Sequence, residues 1–348
     1  MIVLPTTQRR LLDWLAEVVA GRPAPIEIDS DMAHLLRVTR LSELAALHSR
    51  GNDGVLRDSF VRSAAIERES RRCLGLLAGA DVPAVTLKGP ALAARFWGDA
   101  AARVSMDIDL IVAPVHIRPA LVALEAAGFA PAGVFPGWYE PRWHYHAVLS
   151  DPSSIRPSLE LHWGIARPGL ARADIAAIVA GGEAVPCLFG DLPAPTPSWQ
   201  LLIAALHATR HLYPPRELLD VAFIARALGD REWSIAVREA RRAAVGPSLY
   251  YSLSLVEDRF GLRFHRLIRE LRPSRARDAI VGRYLAGLPV TGGAGKAMLR
   301  LGKAVTPLSS SSLSRLPAGL AWSLSDHPHL AGWLDRTLRR RASGAGRT

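Results

Sequence analysis

Cysteine is scarce in this chain. Cys73 and Cys187 are the two in 348 residues. Two thiols exclude a disulfide framework and any four-cysteine zinc site, and both are expected to be buried thiols. No uninterrupted apolar run reaches the ~18–20 residues that cross a bilayer. The N-terminus, MIVLPTTQRRLLDWL, lacks a basic stretch ahead of a long apolar one, as a secretory signal would need. The expected location is the cytoplasm. Acidic residues are outnumbered, 32 against 43 Lys and Arg, giving a net charge of +11. Such a field favours anionic partners. Aromatic residues are few and are not interleaved with the basic ones as single-strand binders require, so nucleic acid is disfavoured as a substrate. The charge is concentrated only in the tail, from Arg336 to Arg341 and at Arg347.

What is present is helix-forming sequence around a short β-rich stretch. Apolar spacing predicts helices over 7–21, 30–50 and 55–79. Residues 82–87 read as a strand, Gly89-Pro90 as a helix start, and 106–113 as a second strand. A helix from His116 to Ala127 stops at Gly128. Residues 129–143 read as loop, and Trp143–Leu149 and Pro157–His162 alternate as strands. A Pro- and Gly-punctuated connector covers 164–195, with a helix at 171–180, and helices follow from Ser198 to about 286. A serine run at 305–316 reads as a linker before an amphipathic segment at 317–341. The expected division is 1–79, 80–165, 166–304 and 305–348. The β-α-β-α-β-β order implies an α+β fold, a small mixed sheet inside a mostly helical protein.

Two aspartates, Asp107 and Asp109, stand in the β-branched run Ser105–Val112. Residues i and i+2 of a strand share a face, about 6–7 Å apart. Two like charges there need a counter-charge, and hard oxygen ligands suit Mg²⁺.

The surroundings carry more. Leu87-Lys88-Gly89-Pro90, Arg103-Val104-Ser105-Met106-Asp107-Ile108-Asp109 and Leu159-Glu160-Leu161-His162-Trp163 follow in that order, with His207, His211 and Asp220 further on. Together they resemble the uncharacterised nucleotidyltransferase family of the polymerase-β-like superfamily, most closely over residues 80–165. The resemblance implies metal-dependent transfer of a nucleoside monophosphate, with Mg²⁺ or Mn²⁺ and an NTP, ATP expected, as cofactors. The expected acceptor, which the sequence does not identify, is a small molecule, a peptide or a protein. A phosphoryl-transferring peptide-tailoring enzyme and a non-catalytic, antitoxin-like binding partner stay open as alternatives. In the wider superfamily a Gly-Ser pair opens the helix before the aspartates; here Lys88-Gly89 stands there.

Nucleotidyl transfer needs converging carboxylates. Asp107 and Asp109 supply two, and Glu160 is expected to be the third, with Asp109 or Glu160 as the base. His162 shares the face of Glu160 and reads first as a packed histidine. Lys88 and Gly89, at a strand-to-helix turn, are expected to meet phosphate. Arg103 is expected on phosphate or on the carboxylates, and Ser105 on a phosphate oxygen. His207 and His211, four apart on a helix, read as packing residues, and His144 and His146 as structural. Gly292–Ala297 has a phosphate-loop look but fails the pattern at Val290 and Ala297.

Overall fold

The computed structural model describes residues 5–22, 25–49, 53–131, 144–153 and 155–286. The expected linker, the amphipathic segment, the basic tail and the phosphate-loop look-alike lie outside these residues, as does most of the loop at 129–143.

Three helices open the chain: α1 (Thr6–Val19), α2 (Ser30–Thr39) and α3 (Ser42–Leu47). Asp29 caps α2 by accepting the Met32 N–H at 2.8 Å. The single helix expected over 30–50 is broken at Arg40, which adopts a left-handed conformation with φ 56°. The Leu41 N–H turns back to the Leu36 carbonyl, and Leu41 drops into the core. Arginine carries no stop signal of the kind glycine gives, so the break is invisible in the sequence.

The long α4 (Asp53–Gly79) leads to a five-stranded sheet. Its strands are β1 (Ala84–Thr86), β2 (Asp107–Val112), β3 (Ala130–Pro131), β4 (His146–Ser150) and β5 (Ser158–His162). The spatial order is β1-β2-β5-β4-β3, with β2 and β5 parallel and the other pairs antiparallel. This is the mixed sheet the sequence predicts. Between β1 and β2 runs α5 (Pro90–Leu92), continued as a π-helical turn to Trp97. After β2 comes α6 (Ile117–Ala126), ended by Gly128 at φ 90° with the Phe129 N–H bonded to the Leu124 carbonyl. One face of the sheet is apolar. Ile108, Leu110, Leu159 and Leu161 pack there with Ile66, Cys73 and Leu77 of α4 and Leu121 and Leu124 of α6.

The connector at 164–195 holds more structure than its sequence suggests. A shorter helix, α7 (Ile175–Ala180), is followed by a hairpin of β6 (Glu183–Cys187) and β7 (Gly190–Ala194). Pro186, Pro193 and Gly190 disguise the strands, because proline and glycine demote a strand reading. Tertiary contacts hold the hairpin. Buried Glu67 accepts the N–H groups of Leu188 and Phe189 at 3.1 and 2.6 Å, and the Thr86 hydroxyl donates to the Pro193 carbonyl at 2.8 Å.

The remaining described chain is helical: α8 (Pro197–Arg210), α9 (Pro215–Ala227), α10 (Asp230–Arg242), α11 (Gly246–Phe260), α12 (His265–Ile268) and α13 (Arg275–Ala286). Leu11, Trp14 and Leu15 of α1 share one core with Leu201 of α8, Leu218 of α9 and Leu249 of α11. The N-terminal helices therefore brace the two helices that face the sheet. Among the described residues no helix is long and apolar enough to cross a membrane.

Candidate active site

In the parallel ladder between β2 and β5, Asp109 lies opposite Glu160. Alternation then sends Asp107, Asp109, Glu160 and His162 to the face turned away from α4 and α6. A cavity of about 440 Å³ opens over that face. Asp107, Asp109 and Glu160 line its floor. His207 and Arg210 of α8, His211 just after it, Arg216 and Glu217 of α9, and Arg40 after α2 line the other side.

The floor is tightly paired. The Asp109 Oδ1 atom sits 3.1 Å from Lys88 Nζ and 3.1 Å from His162 Nε2. His162 Nε2 also lies 3.3 Å from Glu160 Oε2. Burial raises the Asp109 pKa, but Lys88 and then His162 outweigh it and hold the carboxyl well below its usual range. The His162 hydrogen bond likewise lowers Glu160 against burial. Burial opposes charge on His162, and the two carboxylates override it, so its pKa is raised. Asp107 goes the other way, raised by burial and by the Asp109 charge. Among the described residues, one group brings three metal-ligating atoms within 4.8 Å of one another: Asp109, Glu160 and His162. Asp107 lines the same cavity but is not in that group.

Lys88 and Ser105 also line the cavity. Gly89, next to Lys88 in the chain and beside Ser105 in space, is not among the lining residues. Its φ of 70° and ψ of −139° is a conformation that L side chains rarely adopt, and a Cβ there would lie 3.5 Å from the Ser105 hydroxyl.

Arg103 also lines the cavity. Its guanidinium is buried, donates along one edge, from Nε and Nη2, to the two carboxylate oxygens of Asp220 of α9 at 2.6 and 2.7 Å, and reaches the Ser105 hydroxyl from Nη1 at 3.4 Å. Trp97 donates its indole N–H to the same carboxylate at 2.9 Å. A guanidinium held this way is a strut between the β2 approach and α9, and its charge is already answered. The cations facing the cavity from the helices, Arg210 and Arg216, were not singled out by sequence reasoning. Their one signal is position: Arg210 follows His207 by three residues, and Arg216 opens a helix after Pro214-Pro215. Arg216 also donates to the Val104 carbonyl, tying α9 to the entry of β2.

The histidines read as packing residues face the cavity as well. The rings of His207 and His211 lie 4.3 Å apart. Burial first, then Lys88, pushes the His207 pKa well down. His146 stacks on His162 with centroids 5.1 Å apart and planes at 20°, and burial followed by His162 pushes its pKa down to about 3.

Comparison with known proteins gives one family match and several similar solved structures. The sequence profile described as "Uncharacterised nucleotidyltransferase" matches residues 53–261. No curated protein matches the chain. Among solved structures, one similar chain is the antibiotic-resistance factor ANT(2'')-Ia, in a solution structure concerned with its substrate-regulated conformation dynamics. It is 15% identical, with 54% of this chain and 94% of that chain covered and a TM-score of 0.33. Another is an antigenic nucleotidyltransferase-like protein from Paracoccidioides brasiliensis. It is also 15% identical, with 61% of this chain and 91% of that one covered and a TM-score of 0.36.

Proposed function

The chain belongs to the uncharacterised nucleotidyltransferase family, and from that premise we propose that it moves a nucleoside monophosphate from an NTP, ATP first, to an acceptor. The acceptor offers a hydroxyl, phosphate or amine on a small molecule, peptide or protein. One observation carries the reading: Asp107, Asp109 and Glu160 come from neighbouring strands to one cavity floor, opposite a wall that carries Arg210 and Arg216.

Transfer consists of in-line attack on the α-phosphate with pyrophosphate leaving. A divalent cation, when bound, offsets charge on the attacking and leaving oxygens. The donor set fits such a cation, since two carboxylate oxygens from the cavity floor converge with an imidazole nitrogen. Asp109 and Glu160 would hold it, with Asp107 beside them. Lys88, Arg210 and Arg216 supply charge-assisted donors for the phosphate oxygens. Gly89 lets the backbone turn close to Ser105 so that Lys88 stays at the floor.

The two base candidates separate on exposure. The Asp109 side chain is 3% exposed and paired on both sides, whereas that of Glu160 keeps 23%. Glu160 is therefore the carboxylate that can meet an acceptor.

The test uses the full-length protein with each of the four NTPs labelled at the α-phosphate, in Mg²⁺ and in Mn²⁺, with a panel of peptide, protein and small-molecule acceptors. Label should move to acceptor with release of pyrophosphate. Asp107→Asn and Glu160→Gln should abolish the transfer while still folding. In a parallel run with γ-labelled NTP, label moving from the γ-position to the acceptor, with none moving from the α-position, would support the phosphoryl-transfer alternative.

A further inference from the structure

His162 contributes a nitrogen at the centre of a carboxylate pair. Its Nε2 lies 3.1 Å from Asp109 Oδ1 and 3.3 Å from Glu160 Oε2. Two ligand atoms about 2.1 Å from one ion and at right angles to each other stand roughly 3 Å apart. The observed separations are those of neighbouring ligands around a single cation. The ring is also fixed in place. It is 4% exposed and stacked on His146 at 5.1 Å, with the tilted ring of Tyr145 at 6.0 Å. It cannot swing Nε2 out of the group without unstacking.

We propose that His162 is itself a ligand of the cation through Nε2, and that this one-nitrogen, two-oxygen protein set selects a divalent transition-metal ion such as Mn²⁺ over Mg²⁺. The inference rests on the nucleotidyltransferase reading only for there being a cation in this cavity. Mg²⁺ favours oxygen ligands and gives up water reluctantly. An imidazole in the donor set raises affinity for first-row transition ions. Ligation exchanges the Nε2 proton for the cation, and the proton leaves to solvent, as with any imidazole ligand. His146 then acts as a positioning residue that holds the ring plane.

The test is metal binding, with Mn²⁺ alone as the probe on metal-free full-length protein. Titration calorimetry should give a Mn²⁺ dissociation constant at least tenfold below that for Mg²⁺. Pulsed electron paramagnetic resonance of the Mn²⁺ complex should show a directly bound ¹⁴N, replaced by a ¹⁵N pattern when histidine is ¹⁵N-labelled. His162→Gln should erase the nitrogen coupling and shrink the Mn²⁺ preference. His207→Gln, His211→Gln and His146→Phe should each keep the coupling, which points it to His162 even if His162→Gln fails to fold. Bound Mn²⁺ without nitrogen coupling, a coupling that survives in folded His162→Gln or vanishes in folded His207→Gln, a Mg²⁺ preference, or no saturable Mn²⁺ binding would each overturn the proposal. Label transfer by wild type and its loss in Asp107→Asn decide the nucleotidyltransferase reading separately.

Discussion

Arg103 and Asp220 stand 117 positions apart in the chain and meet edge to edge, with both guanidinium–carboxylate contacts under 2.8 Å and both side chains 5% exposed. The pair joins the approach to the aspartate strand to the helix that carries Arg216. Breaking a buried pair from one side leaves an uncompensated charge, at a cost of about 3–5 kcal/mol. Arg103→Met should therefore lower unfolding stability in urea by that order. The double change Arg103→Met with Asp220→Leu should recover much of the loss. A single change that leaves the midpoint where it was would show that the strut is not structural.

Lys88 and Arg210 should govern nucleotide affinity. A charge-assisted hydrogen bond is worth about 1.5–3 kcal/mol, or roughly ten- to a hundredfold in dissociation constant. Lys88→Ala and Arg210→Ala should each weaken NTP binding in that range, measured by calorimetry with a non-hydrolysable analogue. Truncation after Asp335, which removes the tail arginines, should leave affinity unchanged. A larger loss from truncation than from either point change would move the phosphate contacts to the tail.

Gly89 has a backbone that an alanine adopts only under strain, of order 1–3 kcal/mol. Gly89→Ala should lower the thermal midpoint by several degrees and weaken NTP binding together, because the turn that is strained is the turn that places Lys88. Gly54→Ala, at an open position in the first turn of α4, serves as the control and should leave NTP binding unchanged without lowering the thermal midpoint.

Asp151 gives a pH prediction away from the cavity. Its carboxylate accepts from Arg156 at 2.8 Å and from the Ser153 N–H at 3.0 Å, and the Arg156 hydrogen bond, then Ser153, holds it below the usual carboxylate range. A carboxyl depressed on folding stabilises fully above its unfolded pKa of about 3.9, and that contribution is lost as pH falls toward the folded value. Urea midpoints of wild type and Asp151→Asn should differ most at pH 5–7 and converge below about pH 4. A gap of constant size down to pH 2 would show that the ion pair is not its source.

The sheet and its acid face were legible because their signals are local. Asp107 and Asp109 alternate with Ile108 and Leu110, Glu160 alternates with Leu159 and Leu161, and Gly128 marks a helix end. The hairpin at 183–194 was hidden because Pro186, Pro193 and Gly190 contradict it locally, and Glu67, more than a hundred residues earlier, stabilises it. The pairing of Arg103 was illegible for the same reason: its partner lies on a distant helix, and periodicity says nothing about which charge meets which. Arg210 and Arg216 sit in ordinary helical sequence and reach the cavity only because α8 and α9 pack across the sheet. His162 was visible as a residue on the right face, but its place between two carboxylates depends on the parallel register of β2 with β5.

That register has a further consequence. The face of β2 that carries Asp107 and Asp109 continues with Ile111, which is fully buried among Ile175, Ile178 and Ile203. A slip of the strand by two residues keeps every side chain on its own side of the sheet, so alternation alone does not forbid it. Here such a slip would push Asp109 into the isoleucine pocket or draw Ile111 over the cavity floor. A carboxylate stranded among isoleucines costs several kcal/mol. The abrupt change from acid to aliphatic halfway along one strand face thus acts as a stop in the folding of the sheet. It makes the misaligned pairings the expensive ones, and the residues that give the site its charge also help to fix where the strand comes to rest.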